Sequence, residues 1–491
     1  MYAEYDRFYK FFNSAEFVAL EKTFSMMRVT DISKCFSSIY SHTMAWAVKD
    51  VEHGKENTSA VSFANDFDLL MQFSNYNETN GIPVGAEVSR LFAEIILQAV
   101  DVDLLRRAGR NRFVLGRDFA VRRYIDDYVI FANGAEVLDA LQRGLSEALQ
   151  VFNLHLNDLK TATINRPLQT RRSQNIADAT AGLARFRDQV CVLDPATQAY
   201  LPGAIRSSQA LMRTFVNEMK VACTNAGAGY EDISPYIIGS INATVENLIG
   251  TFKAAKGAKR FDRGAYFGAF DALLGSLYYF FTVHATVPSS YQVAKTTIVS
   301  IRFFRNHLPE FSGALHEVVR RLVQELTLSP GLQSLAMSAY VPIEILNVIL
   351  ASTELPESYR TNIFDIRTRI LADEGIDYFS ILSLLFYYGR TDAPLIDEVE
   401  DRLIRDFLPS ALPAKRSRDA HFMLDLIACP YLTRNFRRMV LDKLYGGLGI
   451  SSGTFFSYSV IKEVEENPWF VNWKQIDLLN HLRKKELRPV Y

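Results

Sequence analysis

Two adjacent carboxylates, Asp126 and Asp127, form the strongest chemical signal in the sequence. They lie between FAVRRY at residues 119–124 and YVIF at residues 128–131, whose β-branched and aromatic side chains favour β-strands. We therefore predict a β-hairpin whose turn carries the acidic pair. Two neighbouring negative charges repel each other, and a hard divalent cation would relieve that repulsion. For this segment alone an exposed turn is the alternative, since Asp is common in turns.

Three other segments supply further groups that could take part in the same chemistry. Asp31 ends an apolar run in VTDISKCFSSIY, residues 29–40, and is expected to add a third carboxylate beside the hairpin. GIPVGAEVSRLFAE, residues 81–94, is a loop punctuated by Gly and Pro that leads into a helix. LHLNDLKT, residues 154–161, contains Lys160. The four segments follow one another within the first third of the chain.

In this order the segments resemble motifs A, B, C and D of the reverse transcriptase palm. The resemblance implies phosphoryl transfer assisted by two Mg²⁺ ions, with Mn²⁺ as the alternative ion. Asp31 and Asp126 would bridge the two metals, and Asp127 would support them. Lys160 would protonate or neutralise the leaving pyrophosphate.

Phe36 is the fifth residue after Asp31, where the enzymes of this resemblance place a bulky side chain under the nucleotide sugar. An aromatic ring there would clash with a 2′-hydroxyl, the group that distinguishes ribonucleotides from deoxyribonucleotides. The register from Asp31 favours this steric gate over an ordinary core position. We therefore expect dNTPs as substrates.

The loop of the second segment is predicted to bind the nucleotide. Gly81, Pro83 and Gly85 form it, and the two glycines would let the backbone approach a nucleotide closely. Val84 stands where many templated enzymes have Gln, and its side chain cannot hydrogen-bond to a base or sugar. Arg90, one turn into the helix, could meet a phosphate, or it could be an ordinary surface arginine.

DISKCFSSIYSHT, read together with GIPVGAEVSRLFAE and RYIDDYVIFA, is similar to the abortive-infection (Abi, AbiK-like) reverse transcriptase family of bacterial phage defence. That resemblance implies a reverse-transcriptase-like palm joined to a helical-repeat domain, and assembly into a homo-oligomer. It also implies template-independent DNA synthesis primed by a tyrosine of the protein itself, so that the single-stranded DNA product is attached to that residue. The priming tyrosine cannot be assigned, because no segment of this chain matches its region clearly.

The fold class expected is α+β: an antiparallel palm sheet packed on helices, followed by a large all-α, HEAT-like helical-repeat domain. We place the palm at residues 1–190 and the helical domain at residues 191–491, where apolar helical segments are separated by breakers such as Pro288, Pro309, Pro330 and Pro394. Only thirty residues precede Asp31. We therefore expect one of two situations: the chain begins inside a longer natural protein, or the fingers subdomain, which usually precedes this motif, is reduced or missing.

Composition limits the partners. The net charge of −1 is unusual for a protein that grips long duplexes, so any phosphate contact must be local, at the basic clusters of residues 106–123 and 160–187. Four scattered cysteines suggest neither a zinc site nor disulfides, which fits a reducing cytoplasm. The most apolar stretch, Leu273 to Pro288, is too short to span a bilayer, and no membrane partner is expected.

Two other functions stay open at this stage. One is a templated reverse transcriptase of the retron or mobile-intron type, which Phe36 and the acidic hairpin allow and Val84 disfavours. The other is a non-catalytic scaffold that keeps the palm and uses the helical region to bind a partner. The need for an RNA template separates the first from template-independent synthesis. Mg²⁺-dependent binding of dNTP separates the second from both enzymes.

Overall fold

The structure is a computed structural model that describes residues 8–57, 61–329, 341–360, 367, 371, 376–389, 391–447, 449–450, 454–474 and 476–486. The chain divides between Gln174 and Asn175 into two compact units. The domain boundary placed at residue 190 from the sequence stays a prediction. Across these described residues, no helix is long and apolar enough to cross a membrane.

A four-stranded antiparallel sheet organises the first unit. Its strands are β1 (Met26–Asp31), β2 (Phe119–Tyr124), β3 (Asp127–Ala132) and β4 (Ala162–Asn165), in the order β2-β3-β1-β4. The predicted hairpin is therefore present, with β2 and β3 joined by a two-residue turn. Strand β1, which ends at Asp31, pairs with β3 at the centre of the sheet.

Helices cover both faces of this sheet because successive side chains of each strand point to opposite sides. On one side, β3 packs against α1 (Phe8–Phe12) and α2 (Ala15–Thr23) through Val129 and Phe131. On the other side, Tyr128 and Ile130 join the larger core formed with α7 (Glu87–Arg110) and α8 (Ala135–Gln150). The spacing of apolar residues over 135–152 predicts a helix, and α8 confirms it, with buried leucines every three or four residues, at positions 138, 141, 145 and 149.

Four shorter helices complete the first unit: α3 (Cys35–Ser38), α4 (Thr43–Val48), α5 (Val51–Glu56) and α6 (Phe63–Ser74). The sequence predicts one helix over residues 42–51, but the chain breaks at Asp50. The Asp50 carboxylate accepts a hydrogen bond from the His53 amide at 2.7 Å and so starts α5 as a separate helix.

The second unit contains a small hairpin that the sequence pattern does not predict. After α9 (Arg171–Val190), strands β5 (Cys191–Asp194) and β6 (Ala199–Pro202) pair antiparallel. The Asp194 side chain closes the turn, accepting hydrogen bonds from the Thr197 amide at 2.9 Å and hydroxyl at 2.7 Å.

The rest of the described second unit is helical. Its helices are α10 (Ser208–Ala226), α11 (Ser234–Gly250), α12 (Phe252–Ala255), α13 (Arg263–Val283), α14 (Val287–His307), α15 (Pro309–Leu328), α16 (Ile343–Ala351), α17 (Tyr378–Tyr388), α18 (Ala393–Arg402), α19 (Ser417–Ala428), α20 (Arg434–Gly447), α21 (Thr454–Glu466) and α22 (Leu478–Glu486). A largely helical region is thus confirmed, while its HEAT-like organisation stays a prediction.

The prolines chosen as breakers act at helix starts. Pro288, Pro309 and Pro394 each lie in the first turn of a helix, where the missing amide hydrogen costs no bond. Pro330 lies outside the described residues. The sequence pattern also predicts a helix over residues 357–373, most of which lie outside the described residues. The long helix predicted over residues 459–485 is two helices, α21 and α22.

Candidate active site

The sheet brings the three predicted carboxylates to one end of the central strands. Asp31, the last residue of β1, is paired directly with Asp127, the first residue of β3. Directly opposed residues on antiparallel strands have Cβ atoms about 4.5–5.5 Å apart. Asp126 precedes Asp127 in the hairpin turn, and its carbonyl accepts a hydrogen bond from the Ile32 amide at 3.2 Å. Strand register, and not sequence proximity, is therefore what joins Asp31 to the acidic pair.

The turn that orients Asp126 has an unusual backbone conformation. Ile125 has φ +56°, in the left-handed region that β-branched residues rarely adopt. This conformation costs a non-glycine residue about 1–2 kcal/mol. The tight two-residue connection between Tyr124 and Asp127 holds Ile125 there.

The carboxylates lie in a partly desolvated, net negative environment. Asp31 is 8% exposed, and its Oδ1 atom is buried without a hydrogen-bond partner. Burial raises the pKa of the Asp126 carboxyl, a hydrogen bond from its own backbone amide opposes this shift, and the nearby Asp31 charge raises it further. Such a site favours the binding of a cation.

Lys160 supplies a positive charge at this site. It ends a short 3₁₀ turn, Asp158–Lys160, and its Nζ atom donates a hydrogen bond to Asp31 Oδ2 at 2.7 Å. This hydrogen bond raises the pKa of Lys160. The structure thus brings the fourth predicted catalytic residue to the carboxylates, with a side chain that stays 68% exposed and can reach other partners.

The chemistry of this donor set fits Mg²⁺ or Mn²⁺. All the candidate ligand atoms are carboxylate oxygens, which hard divalent ions prefer, and the unpartnered Asp31 Oδ1 offers a buried acceptor. Among the described residues, no group of three or more His, Cys, Asp or Glu side chains is already arranged to hold a metal. Asp31, Asp126 and Asp127 therefore remain predicted ligands.

The predicted nucleotide-binding loop lies against the segment that carries Phe36. The amide of Gly81 donates to the Ile39 carbonyl and that of Ile82 to the Phe36 carbonyl, both at 2.8 Å. Gly81 has φ +82°, and a Cβ atom there would approach the Ser37 carbonyl oxygen to 3.2 Å, so glycine is favoured at this position. The structure therefore brings the loop and Phe36 together.

The side chains of this region differ in exposure. Phe36 is half-buried against the core of the first unit, and Pro83 is also half-buried. Val84 is 83% exposed, and Gly85 has φ +104° with open space around its missing Cβ. Exposure of Val84 and Gly85 leaves the loop surface open to a ligand.

Arg90 and several of the other arginines already have carboxylate partners. Arg90, in the first turn of α7, donates two hydrogen bonds to Glu87. Arg107 pairs with Asp103 and Glu147, Arg117 pairs with Asp118, and Arg122 pairs with Glu16. The free positive charge in the first basic cluster is therefore smaller than its arginine count indicates, and phosphate binding by Arg90 stays a prediction.

The sequence prediction missed the role of Arg123 beside the acidic turn. Its guanidinium is buried between β2 and α7, where it bonds to Glu94 and Asp101, and the Tyr128 hydroxyl donates to Asp101 at 2.7 Å. Burial alone lowers the pKa of Arg123, but the hydrogen bonds to Glu94 and Asp101 outweigh that effect and raise it. Glu94 and Asp101 are seven residues apart in the sequence, which is two helical turns and places both carboxylates on one face of the helix. This spacing could have indicated that they share a basic partner.

Comparison with known proteins assigns the first part of the chain. Residues 7–177 match the family model described as reverse transcriptase (RNA-dependent DNA polymerase), so the chain contains a reverse transcriptase domain there. Domains of this family imply nucleotidyltransferase activity and generally use divalent metals. The finer relation to the abortive-infection family stays a prediction.

The other comparisons add no functional argument. No curated protein sequence matches the chain. Among solved structures, telomerase from Candida albicans in complex with a fragment of telomeric RNA is similar at 10% identity, over 62% of this chain and 56% of that chain. The TM-score of that match is 0.25, which is too low to support a conclusion.

Proposed function

We propose that this protein is a phage-defence DNA polymerase of the reverse transcriptase type, which adds dNTPs without a template and uses one of its own tyrosines as primer. The observation that carries the polymerase part is the cross-strand pairing of Asp31 with Asp127, with Asp126 in the adjoining turn, inside a reverse transcriptase domain. Three carboxylates at one end of a sheet suit phosphoryl transfer, because they can hold the metal ions that stabilise the attacking and leaving oxygens.

Asp31, Asp126 and Asp127 would hold two Mg²⁺ ions. When bound, these ions would activate a 3′-hydroxyl nucleophile and stabilise the departing pyrophosphate. Around them, the antiparallel register fixes Asp31 opposite Asp127, and the left-handed Ile125 fixes the direction of Asp126. Preorganised charge of this kind usually supplies a large share of a rate enhancement.

Lys160 would serve the leaving group. Its ammonium is bonded to Asp31 and its side chain is mostly exposed, so it could donate to the pyrophosphate as negative charge develops there. The raised pKa of Lys160 keeps it protonated at neutral pH, which suits a charge-neutralising role.

Phe36 and the loop Gly81–Gly85 would select and hold the nucleotide. The hydrogen bonds between the Phe36 segment and the loop support a common binding surface, in which the ring excludes a 2′-hydroxyl. Exposed Val84 would contact the base without hydrogen-bonding to it. That absence of a polar side chain supports synthesis without base selection by a template.

The remaining parts of the proposal concern the whole protein. We propose that residues 191–491 form a HEAT-like repeat domain through which the chain assembles as a homo-oligomer in the cytoplasm. A net charge of −1 allows self-association without strong repulsion. Size-exclusion chromatography of the full-length protein with light scattering tests this assembly. We expect a single mass at a multiple of 55.7 kDa, and the mass of a monomer would contradict the homo-oligomer.

The test of template use is incorporation of labelled dNTPs by the full-length protein in Mg²⁺. Three reactions are compared: the first contains no nucleic acid, the second contains single-stranded DNA, and the third contains an RNA template with a primer. The products of each reaction are sequenced. We expect product without added nucleic acid, which stays with the protein after denaturation and is released by protease. Product only with the RNA template would support the retron or mobile-intron type, and dNTP binding without product would support a scaffold.

A further inference from the structure

We propose that Arg123 is a positioning residue that holds the strained hairpin turn and ties it to α7, the helix that follows the nucleotide-binding loop. The consequence for catalysis rests on the proposed function, whereas the consequence for the turn does not. Arg123 would touch neither substrate nor metal. It would act through the carbonyl of Ile125 and thereby through the orientation of Asp126.

The hydrogen bonds of Arg123 use every N–H group of its guanidinium. Nε donates to Asp101 Oδ2 at 2.9 Å, and Nη2 donates to Asp101 Oδ2 at 2.8 Å and to Glu94 Oε1 at 2.9 Å. Nη1 donates to Glu94 Oε2 at 2.9 Å and to the Ile125 carbonyl at 3.0 Å. Five donors in a fixed plane thus bind two helical carboxylates and one turn carbonyl at once.

The bond to Ile125 falls on the strained residue of the turn. Ile125 has φ +56°, and a β-branched side chain makes this conformation unfavourable by itself. A hydrogen bond to its carbonyl favours the conformation in which that oxygen points back to Arg123. Since Asp126 is the next residue, a rotation at Ile125 would swing its carboxyl group away from Asp31.

The two carboxylate bonds connect this turn to α7. Glu94 and Asp101 lie on one face of that helix, and the helix starts at Glu87, directly after the loop that contains Gly85. A rigid helix transmits a shift along its axis. Arg123 therefore links the position of the predicted nucleotide-binding loop to the position of Asp126.

The first experiment compares Arg123→Lys with Arg302→Lys. Lysine keeps the charge but loses the planar fork, so it cannot reproduce the bonds to Glu94, Asp101 and Ile125 together. Arg302 is the matched control, because its guanidinium also pairs with two carboxylates, those of Glu354 and Asp477, and it lies outside both basic clusters. We expect Arg123→Lys to lower kcat by on the order of 100-fold with the KM for dNTP nearly unchanged, and the control to keep both.

The second experiment introduces Ile125→Gly into the wild type and into Arg123→Lys. Glycine adopts positive φ without a steric penalty, so it should restore the turn where the arginine is missing. We expect the double variant to recover about tenfold of the lost kcat, the size of the left-handed penalty of a non-glycine residue. If Ile125→Gly changes kcat by the same factor in both backgrounds, Arg123 acts only as an ion pair and the proposal is wrong.

Hydrogen exchange of the peptide containing residues 119–132 reports on the stability of the turn and does not depend on dNTP incorporation. Arg123→Lys should speed amide exchange at residues 125–127, whereas the Arg302→Lys control should leave it unchanged. Exchange that is unchanged in Arg123→Lys would overturn the proposal. If the wild type incorporates no dNTP, the proposed function fails, and this exchange still decides whether Arg123 holds the turn.

Discussion

Phe131 provides the sharpest test of the packing that positions the carboxylates. It lies in β3, four residues after Asp127, and its ring is fully buried. The rings of Phe11, Phe17 and Phe24 surround it, with centroids 6.4, 6.0 and 6.4 Å from its own. Phe131→Ala removes a ring that contacts all three.

The expected loss of stability follows from these contacts. A buried Phe→Ala substitution costs about 3–5 kcal/mol through lost burial and the cavity that remains. Edge-on aromatic pairs add about 0.5–1.5 kcal/mol each, so a loss in the upper part of that range, about 4.5 kcal/mol, is expected. With a urea slope of about 2 kcal/mol per M, the unfolding midpoint of the first unit should fall by about 2 M.

The assay is urea unfolding of the full-length protein, followed through hydrogen exchange of the peptide containing residues 119–132. Phe73→Ala is the matched control in the same unit, because the Phe73 ring is 72% exposed. We expect that control to shift the midpoint by less than about 0.5 M, since exposed substitutions change stability by less than about 0.5 kcal/mol. Equal shifts for the two variants would refute the packing of α1 and α2 on the sheet.

Two further predictions concern the chemistry. Phe36→Ala should let the enzyme incorporate rNTPs, because space opens for the 2′-hydroxyl; the ratio of labelled rNTP to dNTP incorporation measures it, and an unchanged ratio would exclude the steric gate. Lys160→Met should lower kcat by about 100-fold, since the leaving pyrophosphate loses its donor. Single-turnover kinetics measure that step, and an unaltered rate would remove Lys160 from the reaction.

The elements that the sequence predicts well have strong local patterns. The hairpin β2–β3 has strand-forming residues on both sides of Asp126 and Asp127, and α8 has leucines at helical spacing. The position of Asp31 follows from its place at the end of an apolar run. These features depend on residues close together in the chain, so periodicity and turn chemistry reveal them.

Other features depend on contacts between distant segments or on short elements. Strands β5 and β6 have four residues each, too few to show alternation, and β6 ends in Pro202. Helix α9 carries many polar side chains and so resembles a loop. Arginines counted as phosphate contacts pair with acids from elsewhere, as Arg122 does with Glu16. The left-handed Ile125 runs against residue preference, and it follows from closure of the hairpin and not from its own side chain.

The most direct test of the polymerase assignment is dNTP incorporation by Asp126→Asn beside Asp118→Asn. Asn keeps the size of the side chain and removes the charge that would hold a metal, while Asp118 lies just before β2 and pairs with Arg117. We predict that Asp126→Asn lowers incorporation in Mg²⁺ by at least about 100-fold and that Asp118→Asn stays near the wild-type rate. Incorporation by Asp126→Asn at the wild-type rate would contradict the assignment of this hairpin as the catalytic site.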